Sequence, residues 1–386
     1  MIEKSRRVEN TQESYIRNIL KAISQPGMLS LAGGLPDASR FPFELLANAS
    51  QNLVNNPGIY QYGPTEGLPA LREWILAKQP QGDLDVLLTT GSQQALDLLA
   101  RAYLNPQDKV LVEAPSYLGA LQIFDLAEVE TVAVLSENDG PNIADLERQL
   151  KAHKVKLFYA VPDFQNPSCR TWSAIKRQQV AELLAQYDVA FVEDAPYREL
   201  RFEGQTLPTV SSFMQQLQAD SFFLGSFSKI ATPSMRVGYV SARAELLKPI
   251  AKVKQASDLH SALPMQQMLL DVVSHPDFDD HLQALTKHYQ SRRDALVAAV
   301  NAHLSEFVDF EVPEGGMFLW LELKRHNARD IAAKALVENV AVVPGTEFWP
   351  STREADYQAI RLNFTALDAE QLDVAVARLA KVMAAN

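Results

Sequence analysis

Between Ser226 and Val240 the sequence reads SFSKIATPSMRVGYV, with Lys229 set between two serines on one side and an alanine-threonine-proline run on the other, and Arg236 seven residues further on. Apolar runs flank it, Phe222-Phe223-Leu224 before and Val237-Gly238-Tyr239-Val240 after. A lysine among such neighbours is partly withdrawn from water, which lowers its proton affinity and makes its amine a nucleophile or a base. Ser226 and Arg236 add a hydroxyl and a guanidinium fork, a pair suited to a phosphate dianion.

Further polar residues follow other strand-like runs. DVLLTT leads to Gly91-Ser92-Gln93 at a helix start, KVLVEA to Ser116-Tyr117, VKLFYAVPD to Asn166-Pro167, and VAFVE to Asp194 and Tyr197. Ligands of open α/β sheets sit beyond the carboxyl ends of the strands, so these residues are candidates for one site. The Gly91 junction offers free N–H groups and a positive helix end to a phosphate, although alone it reads as an ordinary turn. Asp194 ends a buried strand, where a carboxylate needs a cation or several donors to stay ionised; standing alone it would read as a cap or a turn residue. Arg361, central in the apolar run AIRLNFT, fits either a bidentate grip on a carboxylate or an internal salt bridge.

The elements that must position these groups alternate from about Asp85 onward: short apolar β-branched runs, then stretches of helical periodicity, up to Ala242. Runs that are apolar on both faces predict a mostly parallel, buried sheet flanked by helices, an α/β fold. DFDDHLQALTKHYQSRRDALVAAVNAHL predicts a long spine helix, and VDFEV, GGMFLWLEL, VAVVPG and AIRLNF, interleaved with helices, predict a smaller α+β domain. The expected division is 1–50 as an N-terminal segment joining the small domain and covering the site, 51–285 as the large domain, and 286–386 as the small C-terminal domain.

Composition sets outer limits. A chain of 386 residues, 47% hydrophobic and 22% charged, has an ordinary globular make-up. A net charge of -11 argues against a nucleic-acid partner. One cysteine, Cys169, leaves neither an intramolecular disulfide nor a four-cysteine zinc site. The polar start MIEKSRRVENTQESY lacks a secretory core and no apolar run is long enough to span a bilayer, so no membrane association and a cytoplasmic protein are expected.

A reactive lysine, a phosphate cradle and a carboxylate for a ring nitrogen together meet the needs of a pyridoxal cofactor and of no other common one. SFSKIATPSMRVGY, VPDFQNP, FVEDAPYREL, TTGSQQALDL and QYGPTEG together resemble the class I and II aminotransferases of the type I pyridoxal-phosphate fold, over nearly the whole chain. The resemblance implies that Lys229 is the Schiff-base lysine and proton shuttle, that Asp194 holds the pyridine nitrogen protonated, and that Asn166 and Tyr197 hydrogen-bond the ring oxygen. It has Tyr117 stack on the ring, and gives the phosphate to Ser92, Gln93, Ser226 and Arg236. Tyr62 would reach the phosphate of a neighbouring subunit, making the enzyme a homodimer with shared sites. Arg361 would bind the substrate carboxylate, with Gly34 of LAGGLPD allowing close approach at the same end.

SYIRNIL followed by LSLAGGLPD is most similar to the 2-aminoadipate and kynurenine aminotransferase branch, in which an amino-terminal helix covers the site. Ser14 and Arg17 match that branch's serine and arginine; Arg17 would meet a distal carboxylate, or else is a solvated residue on an amphipathic helix. The expected activity is transfer of an amino group from an L-amino acid to a 2-oxo acid by double displacement, over a broad range of 2-aminoadipate, aromatic, kynurenine or branched-chain type substrates. A carbon–sulfur lyase on the same fold is the alternative, since the same residues generate the same carbanion. DNA-binding regulators that carry this fold behind a winged helix are not expected, because only about thirty residues precede LAGGLPD. One departure stands out: the family continues Asn-Pro with Thr-Gly, whereas Ser168-Cys169 follow here, and a cysteine in that place predicts a loop that avoids positive φ or takes another path.

Overall fold

The computed structural model describes residues 2–11, 15, 19, 27–79, 82–350 and 358–385. Its larger sheet has eight strands in the spatial order Asp85–Thr89, Gly238–Ala242, Ser221–Ser226, Ala190–Asp194, Val155–Ala160, Lys109–Ala114, Glu130–Glu137 and Gly140–Pro141. The five strands from Ser221–Ser226 to Glu130–Glu137 pair in parallel, as their two-sided apolar patterns demand. Gly238–Ala242 departs from the parallel pattern, running antiparallel to both neighbours.

That reversal positions the site. Because Gly238–Ala242 opposes both neighbours, Asp85–Thr89 runs the same way as Ser221–Ser226, and Gly238 pairs with both Thr89 and Ser226. The entry to the reversed strand, carrying Arg236, therefore lies at the same edge as the carboxyl ends of the parallel strands. Arg236 makes the turn with φ 53° and ψ 48°, and the helix Ser92–Tyr103 starts directly after Gly91, at φ 79°. An added Cβ at Gly238 would lie 2.7 Å from the Gly91 carbonyl carbon and from the Ser92 nitrogen, so backbone fills the space a side chain would need.

Helices cover both faces and start where the sequence supplies caps. Asn142, Ser173 and Thr209 each accept from a backbone N–H of their own helix, and Asp368 with Gln371 forms a capping box. One apolar cluster lies between the sheet and the helices Ile143–Ala152 and Ala174–Gln186, around Trp172, which is fully buried beside Phe158 and Phe191. The other core continues from the opposite face into the C-terminal elements.

Those elements form an antiparallel sheet ordered Val308–Asp309, Phe318–Leu323, Ala359–Asn363, Val343–Pro344, with Arg361 opposite Trp320 and Val343 in its middle. The spine helix Phe278–His303 packs on the last helix, Ala369–Ala384. Leu29–Ser30 pairs in parallel with Val340–Ala341, and Asn363 N–H donates to Leu31 O at 2.7 Å, which ties the N-terminal segment to this sheet. The helix Phe43–Val54, in contrast, packs on Leu263–Val273.

Gly238→Ala tests how tightly the two strand ends and the helix start are joined. With backbone on the far side of the contact, the apo-protein should lose about 1–3 kcal/mol in urea denaturation; unchanged stability would show that the junction yields.

Candidate active site

At the carboxyl edge a single cavity is lined by Ser92, Gln93, Tyr117, Asn166, Asp194, Tyr197, Ser226, Lys229 and Arg236, with Gly91 at its wall. Lys229 lies in the turn after the Ser221–Ser226 strand, and its Nζ donates to Gly34 O at 2.8 Å. Among the described residues no carboxylate pairs with it. Burial, reinforced by Arg361 and then Arg236, lowers its pKa to about 8.

Asp194 closes the other side. Its Oδ2 accepts from the Tyr159 hydroxyl at 2.8 Å, while its buried Oδ1 meets no donor among the described residues. Desolvation raises its pKa to about 6, partly offset by the Tyr159 bond. Neither the cation nor the several donors such a buried carboxylate requires come from the described residues. Tyr159 was not singled out by sequence; it is a strand residue whose only signal is that its strand neighbours the one ending at Asp194.

Arg361 is 1% exposed and likewise has no carboxylate partner, so the internal salt bridge is not found among the described residues. Nη1 donates to Asn166 Oδ1 and Nη2 to Ala32 O, both at 2.6 Å, and Nε is unpaired. The guanidinium lies over the Phe318 ring, 4.2 Å from its centroid, and 4.9 Å from that of Phe348. Asn166 Nδ2 reaches the Tyr197 hydroxyl at 3.3 Å, so Arg361, which like Gly34 is not itself in the cavity lining, is linked to the cavity wall through one amide. Gly34 lies against Phe318, whose Cζ would be 3.1 Å from an added Cβ.

The phosphate-type cradle is at the helix start. Arg236 donates to Thr90 O at 3.3 Å and Pro233 O at 3.4 Å, and a Cβ on Gly91 would come 2.6 Å from its Nη2. Glycine thus lets the guanidinium approach the free N–H groups of the helix. Ser226 Oγ accepts from Ser228 N–H at 3.3 Å. The Gln93 side chain is engaged within the chain, accepting from Tyr117 OH at 3.1 Å and donating to Gly119 O at 3.2 Å. What the Gln93 position offers an anion is therefore its backbone N–H, while its amide orients the Tyr117 ring.

Tyr62 does not line this cavity; it is 78% exposed and meets His260 edge-on at 5.8 Å. Ser14 and Arg17 lie outside the described residues. The altered path expected after Pro167 is not found: Cys169 adopts φ 64°, the left-handed conformation a glycine would take. Its N–H donates to Gln165 O at 2.7 Å and its thiol to Pro167 O at 3.3 Å, bonds that hold the turn despite the Cβ. Burial pushes that thiol well above its ordinary pKa, which makes it a poor nucleophile.

The cavity fits pyridoxal phosphate on its own chemistry: an amine for the aldehyde, an orphaned carboxylate oxygen for a protonated ring nitrogen, and a cationic helix start for the phosphate. The comparisons agree with this chemistry. The family described as "Aminotransferase class I and II" matches residues 27–379. The chain is 36% identical to the 2-aminoadipate transaminase of Thermus thermophilus, covering 96% of this chain and 94% of that one. It is 35% identical to aromatic-amino-acid aminotransferase 1 of Thermococcus litoralis, covering 96% and 91%. The crystal structure of Pyrococcus horikoshii kynurenine aminotransferase in complex with PMP superposes with a TM-score of 0.94 at 33% identity, over 99% of this chain and 97% of that one. The chain belongs to the class I and II aminotransferase family. It is a pyridoxal-phosphate-dependent aminotransferase with the type I fold.

No helix among the described residues is long and apolar enough to cross a membrane.

The lowered proton affinity of Lys229 has a kinetic signature. If Lys229 is the amine that joins the aldehyde, only its neutral form would react, so the rate at which apo-protein takes up pyridoxal phosphate should rise about tenfold per pH unit below about 8 and level off above it. Stopped-flow absorbance against pH checks this; a rise continuing unchanged to pH 10 would show an ordinary lysine.

Proposed function

We propose that this aminotransferase works on a broad range of 2-amino acids, with aromatic, kynurenine-type and 2-aminoadipate-type donors as its substrate class, and 2-oxo acids as acceptors. The named activities of its relatives support that range. The observation that carries the site assignment is that Lys229 and Asp194 line one cavity, with Arg361 behind its Asn166 wall, and that none of the three has a counter-ion among the described residues.

In this reading Arg361 grips the α-carboxylate with its guanidinium edge, pre-aligned by Asn166 and Ala32 O. Asp194 holds a proton on the ring nitrogen, and the donors of Asn166 and Tyr197 meet the ring oxygen. Tyr117, oriented by Gln93, packs on the ring face. Ser92, the Gln93 N–H, Ser226 and Arg236 hold the phosphate. The cofactor, when bound, supplies the electron sink. Lys229 Nζ takes the proton from the substrate Cα and returns it on the other side of the transfer.

We propose further that the enzyme is a homodimer, with the exposed Tyr62 reaching the partner's phosphate, and that it divides at 51–285 and 286–386 with 1–50 serving the smaller part. The single buried thiol fits a cytoplasmic setting. Sedimentation should give twice the 42.9 kDa chain mass.

Adding one amino acid to the holoenzyme should convert the absorbance of the aldehyde form to that of the amine form, and a 2-oxo acid should restore it. An unchanged aldehyde band with release of pyruvate would assign a lyase instead. Lys229→Ala should retain cofactor and lose turnover by about a thousandfold or more.

Arg17→Ala separates two roles for the N-terminal segment. A distal-carboxylate contact predicts a rise in KM for dicarboxylic donors alone, by about tenfold; an equal effect on aromatic donors would point to a covering role.

A further inference from the structure

Behind the cavity, one carboxylate is shared by three arginines. Asp163 is 1% exposed. Its Oδ1 accepts from Arg177 Nη2 at 2.7 Å and Arg201 Nη2 at 3.5 Å, and its Oδ2 from Arg198 Nη1 at 2.8 Å and Arg177 Nη1 at 3.3 Å. Arg177, fully buried, also donates to the carbonyls of Trp172, Pro162 and Pro208 and stands 3.9 Å from Glu193. These bonds fix the cluster to the helix Ala174–Gln186 and to the strand that ends at Asp194.

The placement along the chain gives the cluster its consequence. Asp163 precedes Asn166 by three residues and Arg198 directly follows Tyr197. Their ion pair therefore joins the backbones of the two loops whose side chains meet across the cavity, Asn166 Nδ2 to Tyr197 OH, at 3.3 Å. Buried ion clusters add little net stability compared with apolar packing, but their short charge-assisted bonds fix geometry. Without this pair, the direct side-chain links between the two loops would be that long hydrogen bond, the 3.5 Å contact of Arg201 Nη2 with Asp163 and the Arg201 guanidinium over the Phe164 ring.

We propose that Asp163 and Arg198 are positioning residues for the reaction: their ion pair sets the spacing of Asn166 and Tyr197, and so the proton affinity of the Lys229 nitrogen once the cofactor is joined to it. This rests on the roles proposed above for Asn166 and Tyr197. Donors on the ring oxygen stabilise its negative charge and weaken its hold on the proton of the adjacent nitrogen. Misplacing them raises the pH at which that proton leaves. Arg236 and Asp194, the other charges lining the cavity, and Arg361, which acts on Lys229 from behind Asn166, are left in place by substitutions at Asp163 and Arg198.

The test is a pH titration of the holoenzyme's visible absorbance without substrate. Tyr197→Phe and Asn166→Ala are the references and should raise the midpoint by about one unit. Arg198→Met should raise it by about half a unit, roughly threefold in proton binding, and Arg198→Lys should recover most of that shift. Asp163→Asn should move it the same way; should that variant fail to fold, the Arg198 variants carry the test, since that side chain is 18% exposed. If the references leave the midpoint in place, the roles given to Asn166 and Tyr197 are wrong and this proposal falls with them. If the references move it while Arg198→Met only lowers the melting temperature, the cluster is structural and this proposal alone is overturned.

Discussion

Charge without an internal partner is the constraint around which this molecule is arranged. Among the described residues Asp194 has one hydroxyl donor, Lys229 one carbonyl acceptor, and Arg361 an amide and a carbonyl, and all three are withdrawn from water. Burying such groups unpaired costs several kcal/mol each, which a relaxed chain would avoid by turning them outward or neutralising them. The raised pKa of Asp194 and the lowered pKa values of Lys229 and Arg361 measure that tension. A ligand carrying a protonated ring nitrogen, a phosphate and a carboxylate supplies what each wall lacks, so binding relieves a cost the apo fold already bears.

The fold can bear it because each charge is anchored to a central strand or beside one. Asp194 ends a strand with parallel neighbours on both sides, and Arg361 occupies the middle of the small antiparallel sheet, in register with Trp320 and Val343. Neither can swing toward solvent without breaking a ladder of hydrogen bonds. The antiparallel Gly238–Ala242 strand does comparable work for the anion cradle. It returns the chain to the carboxyl edge with Arg236 at the corner, beside the helix start that Gly91 opens.

Much of this was legible in the sequence for one reason: polar residues that follow apolar strand runs must gather at one edge of a parallel sheet. Lys229, Asp194, Asn166 and Tyr117 announce themselves in that way. The direction of Gly238–Ala242 was not legible, because an apolar run reads alike in either orientation. Tyr159 escaped notice because a tyrosine inside a buried strand looks like packing, and its contact to Asp194 depends on register between strands. The Asp163 cluster was hidden for a related reason, since its arginines come from a helix and a distant turn. Cys169 shows the limit of reading turn chemistry from residue type: hydrogen bonds to Gln165 and Pro167 hold a left-handed turn that a cysteine alone would disfavour.

On the roles proposed for Lys229, Arg236 and Arg361, the two cations beside the lysine also explain how one amine can serve two steps with opposite demands. Joining the cofactor requires the neutral amine, and burial together with Arg361 and Arg236 raises that fraction near physiological pH by lowering the pKa to about 8. To take a proton from the substrate it must be a stronger base. Arg236 faces the phosphate position and Arg361 the carboxylate position, so each bound anion cancels one of the two repulsions. The amine's proton affinity therefore rises as the site fills, and is highest when the substrate carboxylate is in place. The groups that hold the ligands are thus the same groups that time the base.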